Sequence, residues 1–217
     1  MIALCRYQVH DLTRSHRWVA PLLVYILVLA MVYAQPAGPA PLAFGVTAGA
    51  LIPIGAWLTR ALLGTEDPIA QQVTVTAAGS RARVQAALLA SALALTGVLA
   101  VLAVLWAAVA NPSYTAHGAA VLGGLGIHAL FGLAGVGLGA LLSPPLVVEP
   151  GPAVLGIVGA TTVSVILRVS PAAWALRVLE HNRRHGFAAA MAGPVVALGA
   201  AGLACVLIAF WLGSRRR

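Results

Sequence analysis

All but two of the charged residues in this chain lie outside six apolar runs, each about long enough to cross a bilayer, and that arrangement limits what it can fold into. The runs fall at 18–34, 42–63, 84–110, 118–142, 153–169 and 187–212, with Arg60 and Arg168 the exceptions. A helix needs roughly 20 mainly apolar residues to cross a hydrocarbon core about 30 Å thick. Only 8% of the 217 residues are charged and 61% are hydrophobic, against about a quarter charged in a soluble domain. Too little polar surface remains to cover a water-soluble globule. The sequence predicts an all-α polytopic membrane protein, one transmembrane domain over 1–217 with six transmembrane helices.

The polar segments between the runs carry their own helix signals. Residues 1–17 place Ile2, Cys5, Val9 and Leu12 at helical spacing, with Arg6, His10, Arg14 and Arg17 on another face. That pattern suits an amphipathic helix lying in the membrane interface; a solvated basic start that only sets topology is the plainer alternative. Val32-Tyr33-Ala34 resembles a signal-peptidase site, but the preceding basic region is too long for a leader. An N-terminal sequence beginning at Gln35 would overturn that expectation.

Residues 65–83 read TEDPIAQQVTVTAAGSRAR. Thr65, Glu66 and Asp67 offer an N-cap, and Pro68 suits a first helical turn, where its missing N–H costs nothing. A short helix over 68–78 follows, stopped by Gly79, and Ser80 can cap the next one. Ser170-Pro171 opens another short helix within 170–186, ended by Gly186. Pro53 and Gly193-Pro194 are expected to kink the second and last spans.

Arginine sets the orientation. All 13 basic residues are Arg. With both termini inside, Arg6, Arg14, Arg17, Arg60, Arg81, Arg83 and Arg215 to Arg217 fall on the cytosolic side. Arg168, Arg177, Arg183 and Arg184 fall outside, as the positive-inside rule prefers. Segment 65–83 is then cytosolic and the 170–186 helix external. The absence of lysine excludes the usual Walker A phosphate loop and a lysine Schiff base. The net charge of +8 is spread over span ends rather than gathered into one basic field, so nucleic acid is not indicated. Cys5 and Cys205 should lie too far apart for a disulfide.

Several residues carry a functional and a structural alternative side by side. His128 is an ionisable group deep in the fourth span, which marks a functional candidate; without a carboxylate in any span, a neutral imidazole bonded to a neighbouring helix is the alternative. Thr161, Ser164 and Arg168 share a face of the fifth span and either line a passage or bond back to their own helix. Gly132, Gly135, Gly137 and Gly139 predict close helix packing, Gly135 and Gly139 as a GxxxG pair. His181 and His185 have the spacing of a helical metal pair, but Arg183 and Arg184 would repel a cation, and no metal site is expected. The carboxylates of Asp11, Glu66, Asp67, Glu149 and Glu180 are spread over the membrane surfaces, so no catalytic group is assigned and an enzyme is not expected.

The layout resembles one family. An amphipathic N-terminal helix, six spans, a capped polar helix after the second span and a short external helix before the sixth resemble the permease subunits of ATP-binding-cassette exporters of the drug, polysaccharide and lipid type. The closest local similarity is WLTRALLGTEDPIAQQVTVTAAGSRAR, from Trp57 to Arg83. The resemblance implies a homo- or heterodimeric permease in a bacterial plasma membrane, seated on two separate cytosolic ATPase subunits. ATP and magnesium would be bound by those subunits, with no cofactor in this chain. It implies that 65–83 is the coupling segment, with Glu66, Asp67, Gln71 and Gln72 docking into the ATPase and Arg81 and Arg83 holding its far end. It also implies that the second and fifth spans line the substrate path. Thr47, Trp57, Thr161 and Ser164 are then candidates, beside His128. The substrate would be amphiphilic or hydrophobic, exported by alternating access. A non-transporting membrane scaffold or immunity protein, and an ion-coupled secondary transporter, are the alternatives.

Overall fold

The computed structural model describes residues 1–34, 40–144, 146–167, 170–181 and 187–215, with side chains at 68, 179–181 and 187–191 not described. The described residues form nine α-helices and a single 3-10 turn, with no strand. In order they are α1 (Ile2–Ser15), α2 (Val19–Tyr33), α3 (Ala40–Leu63), α4 (Pro68–Ala78) and α5 (Arg81–Ala110), then the turn at Pro112–Thr115. After it come α6 (Gly118–Leu141), α7 (Pro150–Ile166), α8 (Pro171–His181) and α9 (Phe187–Arg215).

Four stretches are long and apolar enough to cross a membrane: α3, α5, α6 and Ala192–Arg215 of α9. The other two expected spans are shorter. With 15 residues in α2 and 17 in α7, and 1.5 Å per residue, they measure about 22 and about 26 Å against a core of about 30 Å. Each passes the same test only with a bent neighbour, α1 at 81° to α2 and Pro171–Val178 of α8 at 47° to α7. The chain is therefore a polytopic helical membrane protein with four to six candidate spans. The break between α1 and α2 falls at His16, whose φ of 56° is left-handed, a conformation that histidine tolerates better than most residues.

Helix α6 is the centre of the bundle, with α3, α5 and α9 packed around it. Its glycines make that possible. A Cβ on Gly139 would run into the Ala56 carbonyl of α3. One on Gly135 would lie 2.5 Å from the Leu51 carbonyl. On the opposite side, a Cβ on Gly137 would meet the Cys205 side chain of α9 at 2.7 Å. The expected close approach is thus found on two faces. In the absence of a hydrophobic drive between helices in lipid, backbone contact of this kind is what holds them together.

The apolar core falls into two clusters. One joins Leu12, Tyr25, Leu58, Leu62, Val84 and Leu88 at the end where α1 and α4 lie. The other joins Phe44, Tyr114, Ile127, Phe131, Ala175 and Leu198 at the opposite end. There Trp174 of α8 lies against Gly193 of α9, where any Cβ would meet the indole at 2.5 Å. Cys5 and Cys205 are free thiols, the first directed at the Ala87 carbonyl of α5.

The buried face of α1 differs from the expected one. Leu12 faces inward as the periodicity predicts, but Gln8 is buried while Ile2 is exposed. The reason is a tertiary partner: Ser91 of α5 donates to Oε1 of Gln8 at 3.4 Å. Three expectations lie outside the described residues: Arg168 on the α7 face, His185 as partner of His181, and Gly186 as the end of the external helix.

Candidate functional site

Segment 64–83 is built almost wholly by local chemistry. Asp67 stands at the N-cap of α4, its Oδ1 accepting from the backbone N–H groups of Ile69 at 2.8 Å and Ala70 at 2.9 Å. Pro68 opens the helix and Gly79, with φ of 77°, closes it in the left-handed conformation. Ser80 caps α5 by accepting from the Arg83 N–H at 3.2 Å. The Arg83 guanidinium turns back and donates to the Ala78 carbonyl at 2.6 Å. A cation at the N-terminus of α5 is unfavourable by itself, but here it covers a carbonyl at the C-terminus of α4, where positive charge is favoured.

Tertiary ties then fix the segment to its neighbours. Thr74 donates to Glu66 Oε1 at 3.0 Å. The Tyr7 phenol of α1 faces the same carboxylate, which as an acceptor and a negative charge, together with burial, holds the phenol above its ordinary value of 10.0. Arg17 donates to the Gly64 carbonyl at 2.6 Å. Gln71 is half-buried beside Gln8, Asp11 and Glu66 in a tight polar nook. Of the six residues expected to meet a partner, Glu66, Asp67 and Arg83 thus make hydrogen bonds within the segment, and Gln71 is half-buried beside them. Arg81 is half-buried on the first turn of α5, and Gln72 faces out.

What α4 presents outward is a different set. Ile69 is 77% exposed and Val73 67% exposed, and Gln72, Thr76 and Ala77 are exposed around them. These positions share one helix face. The signal is present in the sequence as the apolar residues Ile69 and Val73, at i and i+4 on a polar-looking segment.

Arg60, at the last turns of α3, makes a second notable arrangement. One guanidinium nitrogen donates to the carbonyls of Leu142 and, at 2.9 Å, Val147; the other donates to those of Val148 at 3.1 Å and Glu149 at 3.2 Å. The fork of guanidinium donors suits this and a point-charge ammonium does not. It satisfies the carbonyl at the C-cap of α6, which no helix bond would reach. The loop between α6 and α7 is thereby held to the end of α3, next to segment 64–83.

Thr47 and His128, expected on a substrate path, meet each other instead across the α3–α6 interface. Neither has exposed surface. Thr47 Oγ1 lies 3.0 Å from His128 Nε2, and Nδ1 lies 2.7 Å from the Gly124 carbonyl. A carbonyl can only accept, so Nδ1 carries the hydrogen and Nε2 of the neutral ring is an acceptor, which shares the one Thr47 hydroxyl hydrogen with the Ala43 carbonyl at 2.9 Å. Phe44 meets the imidazole edge to face at 6.0 Å. Nearby, the Tyr25 hydroxyl donates to the Thr47 carbonyl at 3.4 Å. The buried Tyr33 hydroxyl approaches the same threonine without a hydrogen-bond geometry.

The remaining candidates lie apart. Trp57 is 43% exposed on α3. Thr161 and Ser164 are half-buried on α7, and the Thr161 hydroxyl is enclosed with no partner. Its neighbour Thr162 bonds back to the Val158 carbonyl at 2.8 Å. Among the described residues, no three His, Cys, Asp or Glu side chains gather as metal ligands.

Comparison with protein-family models, curated proteins and solved structures finds no match to this chain.

Proposed function

We propose that this chain is the transmembrane permease subunit of an ATP-binding-cassette exporter. It works by alternating access, driven by ATP hydrolysis on separate nucleotide-binding subunits. The observation that carries the proposal is α4: a short helix capped at both ends, tied to its neighbours by Glu66, Arg17 and Arg83, that turns Ile69, Gln72, Val73 and Thr76 away from the bundle. A spacer needs neither the ties nor the apolar outward face, since an exposed apolar patch marks a contact surface.

In this account α4 is the cytosolic coupling element, and its docking face is the Ile69–Val73 stripe. The caps give it the stiffness to push. Arg60 extends the push to the loop between α6 and α7, so the two cytosolic loops move together. The permease has six spans, with both termini in the cytoplasm of a bacterial cell, and dimerises with an identical or related copy. Two ATPase subunits bind the ATP and magnesium. The substrate is amphiphilic or hydrophobic, and the enclosed, unpartnered Thr161 hydroxyl with Ser164 and Trp57 marks the side from which it is met. Thr47 and His128 hold α3 to α6. Their neutral pair, with no carboxylate beside it, does not favour the ion-coupled alternative.

Affinity purification from native membranes tests the proposal. Recovery with a subunit that carries a phosphate-binding loop and hydrolyses ATP supports it; repeated recovery of this chain with no such subunit contradicts it.

A further inference from the structure

Helix α1 is turned across the start of the bundle, at 81° to α2, and it packs against α5. Two contacts hold the pair: Cys5 to the Ala87 carbonyl and Ser91 to Gln8. Beside those contacts the two helices leave an open groove of about 740 Å³. That is within the range of pockets that take a small molecule, about 300–1,000 Å³.

The groove is lined mainly by apolar surface, Ala3, Cys5 and Val9 of α1 included, with polar residues along one edge. Arg6, His10 and Thr13 line it from α1, and they stack along one edge at i, i+4 and i+7. Ala90, Ser91 and Ala94 line it from α5. The Ser91 hydroxyl is already committed to Gln8, so the α5 wall offers mainly methyl groups. No carboxylate lines the groove, and Arg6 and His10 are both exposed. Ala90 and Ala94 flank Ser91, which bonds to Gln8, so they lie beside α1 along the groove. One edge of the groove thus carries two basic residues, and the rest of its lining is mainly apolar.

We propose that this groove binds a single anionic phospholipid, its headgroup phosphate held by Arg6 and His10 and one acyl chain lying along Ala90 and Ala94. Charge complementarity selects the headgroup, because each basic residue at a membrane surface favours anionic lipid. The small side chains of α5 select the chain, because they leave the room it occupies. The site lies beside the α1–α4 junction, so a bound lipid would brace α1 where Tyr7 meets Glu66. It stands or falls independently of any ATPase partner.

The test is native mass spectrometry of the full chain released from nanodiscs of phosphatidylcholine and phosphatidylglycerol. The wild type retains one phosphatidylglycerol in preference to phosphatidylcholine. R6Q with H10Q lowers that retention about tenfold. Filling the groove with A90L and A94L lowers it equally while every charge remains. R14Q, a basic residue of α1 outside the groove, changes it less than twofold, and inorganic phosphate does not displace the lipid. Equal retention of both lipids, undiminished retention with the groove filled, an equal loss in R14Q, or displacement by phosphate alone would each overturn the proposal. Should the filled variant fail to insert, R6Q with H10Q against R14Q decides.

Discussion

The carboxylate of Glu66 accepts a 3.0 Å hydrogen bond from the hydroxyl of Thr74, eight residues along the chain. Since Tyr7 of α1 faces the same carboxylate, one side chain stands between the turn before α4, the middle of α4 and the N-terminal helix. An acidic residue that looked like a docking group is an internal strut.

This contact makes the Tyr7 phenol a reporter. Its folded value is raised above 10.0, chiefly by the Glu66 carboxylate. The protonated phenol therefore adds stability that is fully present below pH 10 and is lost as pH rises through the folded value. In E66Q the carboxylate charge is gone, and Tyr7 should titrate at a lower pH than in the wild type. A difference titration of tyrosinate absorbance against Y7F measures it; an unchanged Tyr7 midpoint would contradict the contact.

Arg60 holds four carbonyls, so its replacement should be costly even when charge is kept. R60K should lower stability by about 1–2 kcal/mol, since an ammonium cannot reach four carbonyls at once, and R60Q by at least as much. Thermal unfolding in detergent checks this, and equal melting of R60K and wild type would show that an ammonium serves as well.

Two glycines of α6 should respond in opposite ways. G139A places a methyl against the Ala56 carbonyl of α3 and should cost about 1–3 kcal/mol, as overpacking does. G126A meets nothing within 4 Å and should be neutral or stabilising by up to about 1 kcal/mol through helix propensity. Similar losses in both would remove the close α3–α6 approach from the account.

At the Thr47–His128 pair, T47V leaves Nε2 without its donor in a closed interface and should destabilise by about 1–3 kcal/mol, while T47S restores the bond. T161V should do the reverse on α7. It removes a hydroxyl that has no partner, so stability should hold or rise while substrate transport falls. Melting and transport measured on the same preparations separate the two effects. Loss of stability in T161V with transport unchanged would remove Thr161 from the path.

What could be read in advance was whatever local chemistry decides. Asp67-Pro68, Gly79 and Ser80 mark their helix ends because caps act within three residues. The apolar runs mark helices because the bilayer sets a length. The spacing of Gly135 and Gly139 predicts a packed face, though not that α3 fills it. Contacts far apart in sequence were out of reach. Nothing near Gln8 says that Ser91 will draw it inward in place of Val9. Arg60 counts as a topology charge until the loop after α6 folds back upon it. Thr47 and His128 each look like path residues until the fold brings them together, 81 positions apart. At α4, Glu66, Asp67 and Arg83 make the caps and ties, and Ile69, Gln72 and Val73 stand on the outward face.

The central claim is that this outward face meets a nucleotide-binding subunit. A photo-crosslinking amino acid placed at Val73, with an inward control at Thr74, tests it most directly in native membranes. The account predicts that Val73 crosslinks to a protein that binds and hydrolyses ATP and that Thr74 does not. Crosslinking of Val73 to lipid alone, or equally from both positions, would contradict it.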